Sequence, residues 1–119
     1  MKLYGIANCD TVKKARRWLD DAGLAYEFHN YKKQGVDEDR LRAFVNEFGW
    51  STVLNRRGTT WRKQPDEVKD AVTDTETAIA IMIAEPSMIK RPILETPGRN
   101  LIGFDETGWE MALETGELG

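Results

Sequence analysis

The chain has 119 residues, of which 40% are hydrophobic and 31% charged, with a formal net charge of −3 at pH 7. Such a length supports one domain with a single modest core, and the balance is that of a folded, soluble chain. The acidic total argues against a protein whose main task is to hold nucleic acid, while leaving room for a local basic patch around an anionic ligand. No apolar run approaches a membrane span, and one cysteine with one distant histidine excludes a disulfide framework and argues against a transition-metal site.

Leu3, Tyr4 and Ile6 form a short run suited to a buried strand, with Gly5 leaving room for close backbone approach. Asn8 and Asp10 are cap-type residues, and a helical pattern starts directly behind them. Val12, Ala15, Trp18, Leu19 and Ala22 make its apolar stripe, Lys13, Lys14, Arg16 and Arg17 its other face, and Gly23 its end. Tyr26 and Phe28 then alternate with Glu27 and His29, the period of a second strand. The opening therefore reads as a right-handed β-α-β unit with parallel strands, followed by a polar loop, Lys32-Lys33-Gln34-Gly35.

Asp37 is the expected N-cap of a helix burying Leu41, Phe44, Val45 and Phe48 and ending at Gly49. Trp50 to Leu54 suggests a short helical turn, and Asn55-Arg56-Arg57-Gly58-Thr59-Thr60 a basic, exposed loop. Pro65 begins a helix expected to bury Val68, Ala71 and Val72. Asp74 caps another that points Ala78, Ile79, Met82 and Ile83 inward before Pro86 ends it. No convincing strand occurs here, so residues 37–86 read as a helical insertion within a single domain spanning 1–119.

Extended structure resumes over Ile89 to Leu94, although Pro92 cannot donate to a sheet ladder and needs a local reason. Thr96-Pro97-Gly98 is a turn, with Leu101, Ile102 and Phe104 as the answering strand. Asp105 caps a last helix carrying Trp109, Ala112 and Leu113, closed by Gly116. The order is β-α-β, several helices, then β-β-α.

Cys9 carries the chemical signal. An isolated cysteine is more often an inert, buried hydrophobe, but this one falls between a strand and a helix N-terminus. Unpaired N–H groups and the helix dipole converge there and favour a reactive thiolate. Lys13, one turn along, adds to this, whereas Asp10 opposes it. A resolving cysteine would stand three positions on, where this chain has Val12, so any disulfide of Cys9 is with another molecule. Arg56, Arg57 and Arg91 are candidates for holding an oxyanion or carboxylate. Arg62 and Arg99 read as surface charges, His29 as structural, and Trp18, Trp50, Trp61 and Trp109 as core or partner-groove residues.

The stretch Tyr4-Gly5-Ile6-Ala7-Asn8-Cys9-Asp10-Thr11-Val12-Lys13-Lys14-Ala15-Arg16-Arg17-Trp18-Leu19 resembles the arsenate reductase-like (ArsC/Spx) family, and within it the YffB-type subgroup. The similarity continues through Leu54 to Lys63, Ile89-Lys90-Arg91-Pro92-Ile93-Leu94 and Leu101-Ile102-Gly103-Phe104. It implies an α/β, thioredoxin-like fold with the helical insertion between its halves. It also implies a cis proline at Pro92 facing Cys9, with the preceding peptide presented to an extended thiol such as glutathione.

In relatives that reduce arsenate, the matching cysteine attacks the substrate with help from arginines. Arg91 matches one and the Arg56/Arg57 loop another. The third would lie near Gly103, where this chain has none, which weakens arsenate as the substrate. Spx-type relatives, which bind RNA polymerase, commonly carry a second cysteine where Val12 stands, so a dithiol switch is not expected.

The expected function is therefore a glutathione-dependent thiol/disulfide oxidoreductase with a single nucleophilic cysteine. Glutaredoxin-coupled arsenate reduction is the alternative enzyme, and a non-catalytic Spx-like adaptor of the transcription machinery the alternative of another class. Cys9 and Arg91 are expected to be catalytic, with Asn8, Thr11, Lys13, Arg56, Arg57 and Pro92 binding glutathione or substrate. No bound cofactor or metal is expected; glutathione is the co-substrate and glutaredoxin a further partner. The substrate is expected to be a small anion or disulfide, and the protein a cytoplasmic monomer with no direct nucleic-acid or membrane contact.

Overall fold

A computed structural model describes residues 1–119. In chain order the elements are β1 (Lys2–Gly5), α1 (Asp10–Asp21), β2 (Glu27–Asn30), α2 (Tyr31–Gln34), α3 (Glu38–Phe48), α4 (Trp50–Val53), α5 (Thr59–Arg62), α6 (Asp66–Asp70) and α7 (Thr75–Ala84). A 3-10 turn over Pro86–Met88, β3 (Ile93–Glu95), β4 (Leu101–Ile102) and α8 (Glu106–Glu114) follow. They form two compact units, one of residues 1–34 with 91–119 and one of residues 35–90.

The first unit is built on a mixed four-stranded sheet of order β2-β1-β3-β4. β1 runs parallel to β2, while β3 is antiparallel to both β1 and β4. The register places Leu3 opposite Phe28 and Leu94, and Leu94 opposite Leu101, so these residues share one face. That face forms a core with Val12, Ala15, Trp18 and Leu19 of α1 and Trp109 and Ala112 of α8. Fully burying each of Leu3, Leu19 and Leu94 contributes about 1.5–3 kcal/mol.

The indoles of Trp18 and Trp109 meet edge-on at 5.6 Å, and Phe104 meets Trp109 in the same way at 4.9 Å. Their polar ends are satisfied: Trp18 Nε1 donates to Glu110 Oε1 at 2.7 Å and Trp109 Nε1 to the Gly103 carbonyl at 3.0 Å. On the other face Tyr4 lies opposite His29 and Ile93. The rings of Tyr4, His29 and Tyr31 cluster there, with centroids 5.1–6.2 Å apart.

The second unit is helical. Asp37 caps α3 by accepting from the Asp39 and Arg40 N–H groups, and Gly49 ends it at φ +87°. Asp74 and Thr77 form a capping box at the start of α7. Arg42 forks onto Glu76, tying α3 to α7 around the buried Leu41, Phe44, Val45, Ala78, Ile79 and Met82. The only strand-like pairing is an isolated bridge between Leu54 and Ile89.

Several local expectations are corrected. α6 has only five residues and buries none; Val68 and Val72 are half-buried and Ala71 is exposed. The helix ends at Asp70, so Ala71 is its C-cap and Val72 lies beyond it, and the apolar stripe that the spacing suggested is cut short. Ala22 is the exposed C-cap of α1 rather than part of its stripe, and Phe48, Ile83 and Leu113 are half-buried. The expected loop after β2 contains the helical turn α2, secured where Gln34 Oε1 accepts from Asn30 N–H at 2.9 Å and Asn30 Oδ1 from Lys32 N–H at 3.2 Å. β4 stops at Ile102 because Gly103 turns to φ +72°, leaving Phe104 to pack on Trp109. No helix is long and apolar enough to cross a membrane.

Candidate active site around Cys9

β1 delivers the chain to the site. Behind its end the Ile6 carbonyl accepts from Cys9 N–H at 3.2 Å, closing a tight loop with Ala7 and Asn8 exposed at its tip. Cys9 has extended backbone angles (φ −89°, ψ 126°), and its carbonyl accepts the first helical bond, from Lys13 N–H at 3.0 Å. The cysteine itself is therefore the N-cap of α1. Asn8 and Asp10, the cap-type residues of the sequence, flank that position instead of filling it. The sulfur occupies the place where a serine or aspartate oxygen would ordinarily meet the orphan N–H groups.

Cys9 is half-buried. Partial burial alone would raise its thiol pKa, but the Val12 N–H, the Arg91 guanidinium and the Thr11 N–H outweigh it and hold the pKa below the ordinary thiol value. The sulfur does not close a full cap hydrogen bond. These backbone groups act chiefly as dipoles directed at the developing charge, which a large, diffuse sulfur anion accepts over longer distances than oxygen does.

Arg91 reaches Cys9 from the far side of the sequence. It is half-buried and precedes Pro92, and the peptide between them is cis. Pro92 is fully buried, its carbonyl accepts from Gly103 N–H at 2.8 Å, and the sheet pairing begins one residue later at Ile93. That is the local reason for a proline here: its missing N–H falls ahead of the ladder.

The other expected site residues are distributed unevenly. Asn8 and Lys13 are exposed, and the cation that acts on Cys9 is Arg91 rather than Lys13. Thr11 contributes its backbone N–H rather than its hydroxyl. Arg56 and Arg57 belong to the 35–90 unit and are exposed there. The Arg56 guanidinium lies 5.7 Å from the centre of the Trp50 ring, and Arg57 N–H donates to Asn55 Oδ1 at 3.2 Å. Sequence reasoning expected unpaired N–H groups at the sulfur without singling out that of Val12. Its signal was available, because the third helical position of any capped helix aims an N–H at the cap side chain.

The arrangement joins a partly exposed thiol with a lowered pKa to a fixed cation. Such a pair can attack an electrophilic sulfur or oxyanion centre while the guanidinium holds the associated negative charge.

A family model described as the ArsC family matches residues 4–112. A solved structure of a YffB protein is similar over 99% of this chain and 98% of its own, with 50% identity and a TM-score of 0.87. Another, an arsenate reductase (ArsC) related protein from Brucella melitensis, is 46% identical and covers 95% of this chain and 93% of its own, with a TM-score of 0.75. A more distant relative, the global transcriptional regulator Spx of Streptococcus agalactiae serotype V, is 27% identical over 106 residues, which is 87% of this chain and 76% of that protein.

Proposed function

Taking as premise that this chain belongs to the ArsC family, we propose that it is a monothiol reductase. Cys9 would exchange disulfides at the expense of glutathione. The observation that carries the reading is the Cys9 sulfur set between the first N–H groups of α1 and the Arg91 guanidinium, with its pKa lowered. The chain's single cysteine gives the reading its form, because no second thiol of the same chain can resolve a mixed disulfide.

The Cys9 thiolate attacks one sulfur of a glutathione mixed disulfide. The old S–S bond breaks, the substrate leaves as a thiolate that takes up a proton, and Cys9 is left bonded to glutathione. A glutathione thiolate then attacks that adduct, forming oxidised glutathione and releasing the Cys9 thiolate. Each turnover converts the substrate's mixed disulfide to a free thiol and consumes one reduced glutathione, which leaves as oxidised glutathione paired with the unit that came from the substrate. Arg91 would hold a glutathione carboxylate, while Asn8, Thr11, Lys13 and Pro92 would shape the approach.

The test is intact mass after incubation with oxidised glutathione, for the wild type and Cys9→Ser. One glutathione on the wild type, none on the variant and release by reduced glutathione is the expected pattern. No adduct on the wild type sinks the proposal. The relationship to an arsenate reductase related protein at 46% identity favours arsenate as a second substrate. Turnover of arsenate that requires glutathione and glutaredoxin would establish it. The Spx relationship supports an adaptor reading, which wins if a polymerase subunit is retained equally by wild type and Cys9→Ser.

A further inference from the structure

We infer that Gly5 and Val12 are positioning residues for Cys9: their direct packing fixes how far the first turn of α1 stands from β1, and so how closely Val12 N–H approaches the sulfur. This rests on the reading of Cys9 as nucleophile and adds the parts that hold it in place.

A Cβ placed on Gly5 would lie 2.8 Å from Val12 Cγ2, 3.3 Å from Cγ1 and 3.6 Å from Cβ. The strand backbone therefore touches the valine side chain with no space for another carbon. Gly5 is not at positive φ, so proximity and not conformational freedom requires the glycine. Val12 cannot yield easily. It is fully buried, and a β-branched residue on a helix has one strongly preferred rotamer.

The same strand end also anchors the cysteine, through Cys9 N–H to the Ile6 carbonyl at 3.2 Å. Two adjacent residues, Gly5 as the last of β1 and Ile6 just beyond it, thus hold the two partners of one interaction. Ile6 sets the cysteine, and Gly5 sets the turn that carries the Val12 N–H. A methyl group on Gly5 pushes that turn away while the Ile6 bond keeps Cys9 where it is. The N–H then withdraws from the sulfur.

The experiment compares wild type, Gly5→Ala and Gly5→Ala/Val12→Ala by iodoacetamide alkylation rate against pH, with thermal melts on the same samples. Gly5→Ala is expected to react up to about twofold more slowly below the thiol midpoint, because part of the lost thiolate population is offset by the greater nucleophilicity of the more basic thiolate. Removing the valine methyl groups in the double variant should return the rate toward wild type. A folded Gly5→Ala with an unmoved profile, or a double variant no faster than the single, overturns the inference. Should Gly5→Ala not fold, Val12→Ile presses on the same contact from the helix side; slowing in the same direction supports the inference and an unmoved profile overturns it. An ordinary wild-type profile, with a midpoint of about 8.5, sinks the nucleophile reading instead. A lowered wild-type midpoint with an unmoved Gly5→Ala profile sinks only the positioning role.

Discussion

Replacing Arg91 with methionine removes the cation beside Cys9 while keeping a side chain of similar reach. A hydrogen bond to a charged group is worth about 1.5–3 kcal/mol when water is excluded. Cys9 is half-exposed, and solvent screening reduces the contribution to about 1 kcal/mol. Losing it lowers the thiolate population about fivefold at any pH below the midpoint. The more basic thiolate is also the better nucleophile, and a Brønsted slope of about 0.4–0.5 returns roughly a twofold gain.

The net expectation is an alkylation rate about twofold to threefold slower than wild type in mild acid. Above both midpoints the order reverses, with the variant about twofold faster, so the two pH profiles cross. The assay is quenched iodoacetamide labelling read by intact mass over a pH series, with circular dichroism to verify the fold. A variant that is faster than wild type in acid, or two profiles that superimpose throughout, refutes the account of Arg91.

Restoring a second thiol with Val12→Cys should convert the glutathione adduct into an internal disulfide, seen as loss of two hydrogens in place of added glutathione. Persistence of the adduct would show that position 12 cannot reach the Cys9 sulfur. Trp109→Ala should cost about 3–5 kcal/mol in chemical denaturation, since it empties the edge-on contacts with Trp18 and Phe104. Trp109→Phe keeps a ring but leaves the Gly103 carbonyl without its donor, for about 1–3 kcal/mol. Asp74→Ala should lower the melting temperature, and Asp74→Ser should retain most of it. The Asp74 carboxyl is held below its usual pKa by the Thr77 N–H and hydroxyl, so its contribution is complete above about 3.9 and is lost as pH falls through the lowered value. The deficit of Asp74→Ala should therefore shrink on acidification; a deficit independent of pH would contradict the cap.

The β-α-β opening, the helical middle and the β-β-α close were legible because each rests on local patterns: alternation in Phe28 and its neighbours, the stripe from Val12 to Leu19, and caps such as Asp37 and Asp74. Membership of the ArsC family was equally legible, carried by the residues around Cys9 and Arg91. Local pattern failed where burial depends on what lies opposite. Val68 and Val72 have helical spacing, yet the helix is one short turn that ends before Val72 and buries none of its residues. Phe104 continues an extended apolar run, yet a positive-φ glycine ends the strand before it.

The sequence by itself determined that there is one cysteine, that it follows a strand and opens a helix, and that no second thiol of the chain can resolve it. Tertiary structure alone decided which charge acts on it. Lys13 is near in sequence but exposed on the helix, whereas Arg91, 82 positions away, is brought to the sulfur by the pairing of β1 with β3. Electrostatic influence depends on distance through space and on exclusion of water, and neither is written in the spacing of residues along the chain.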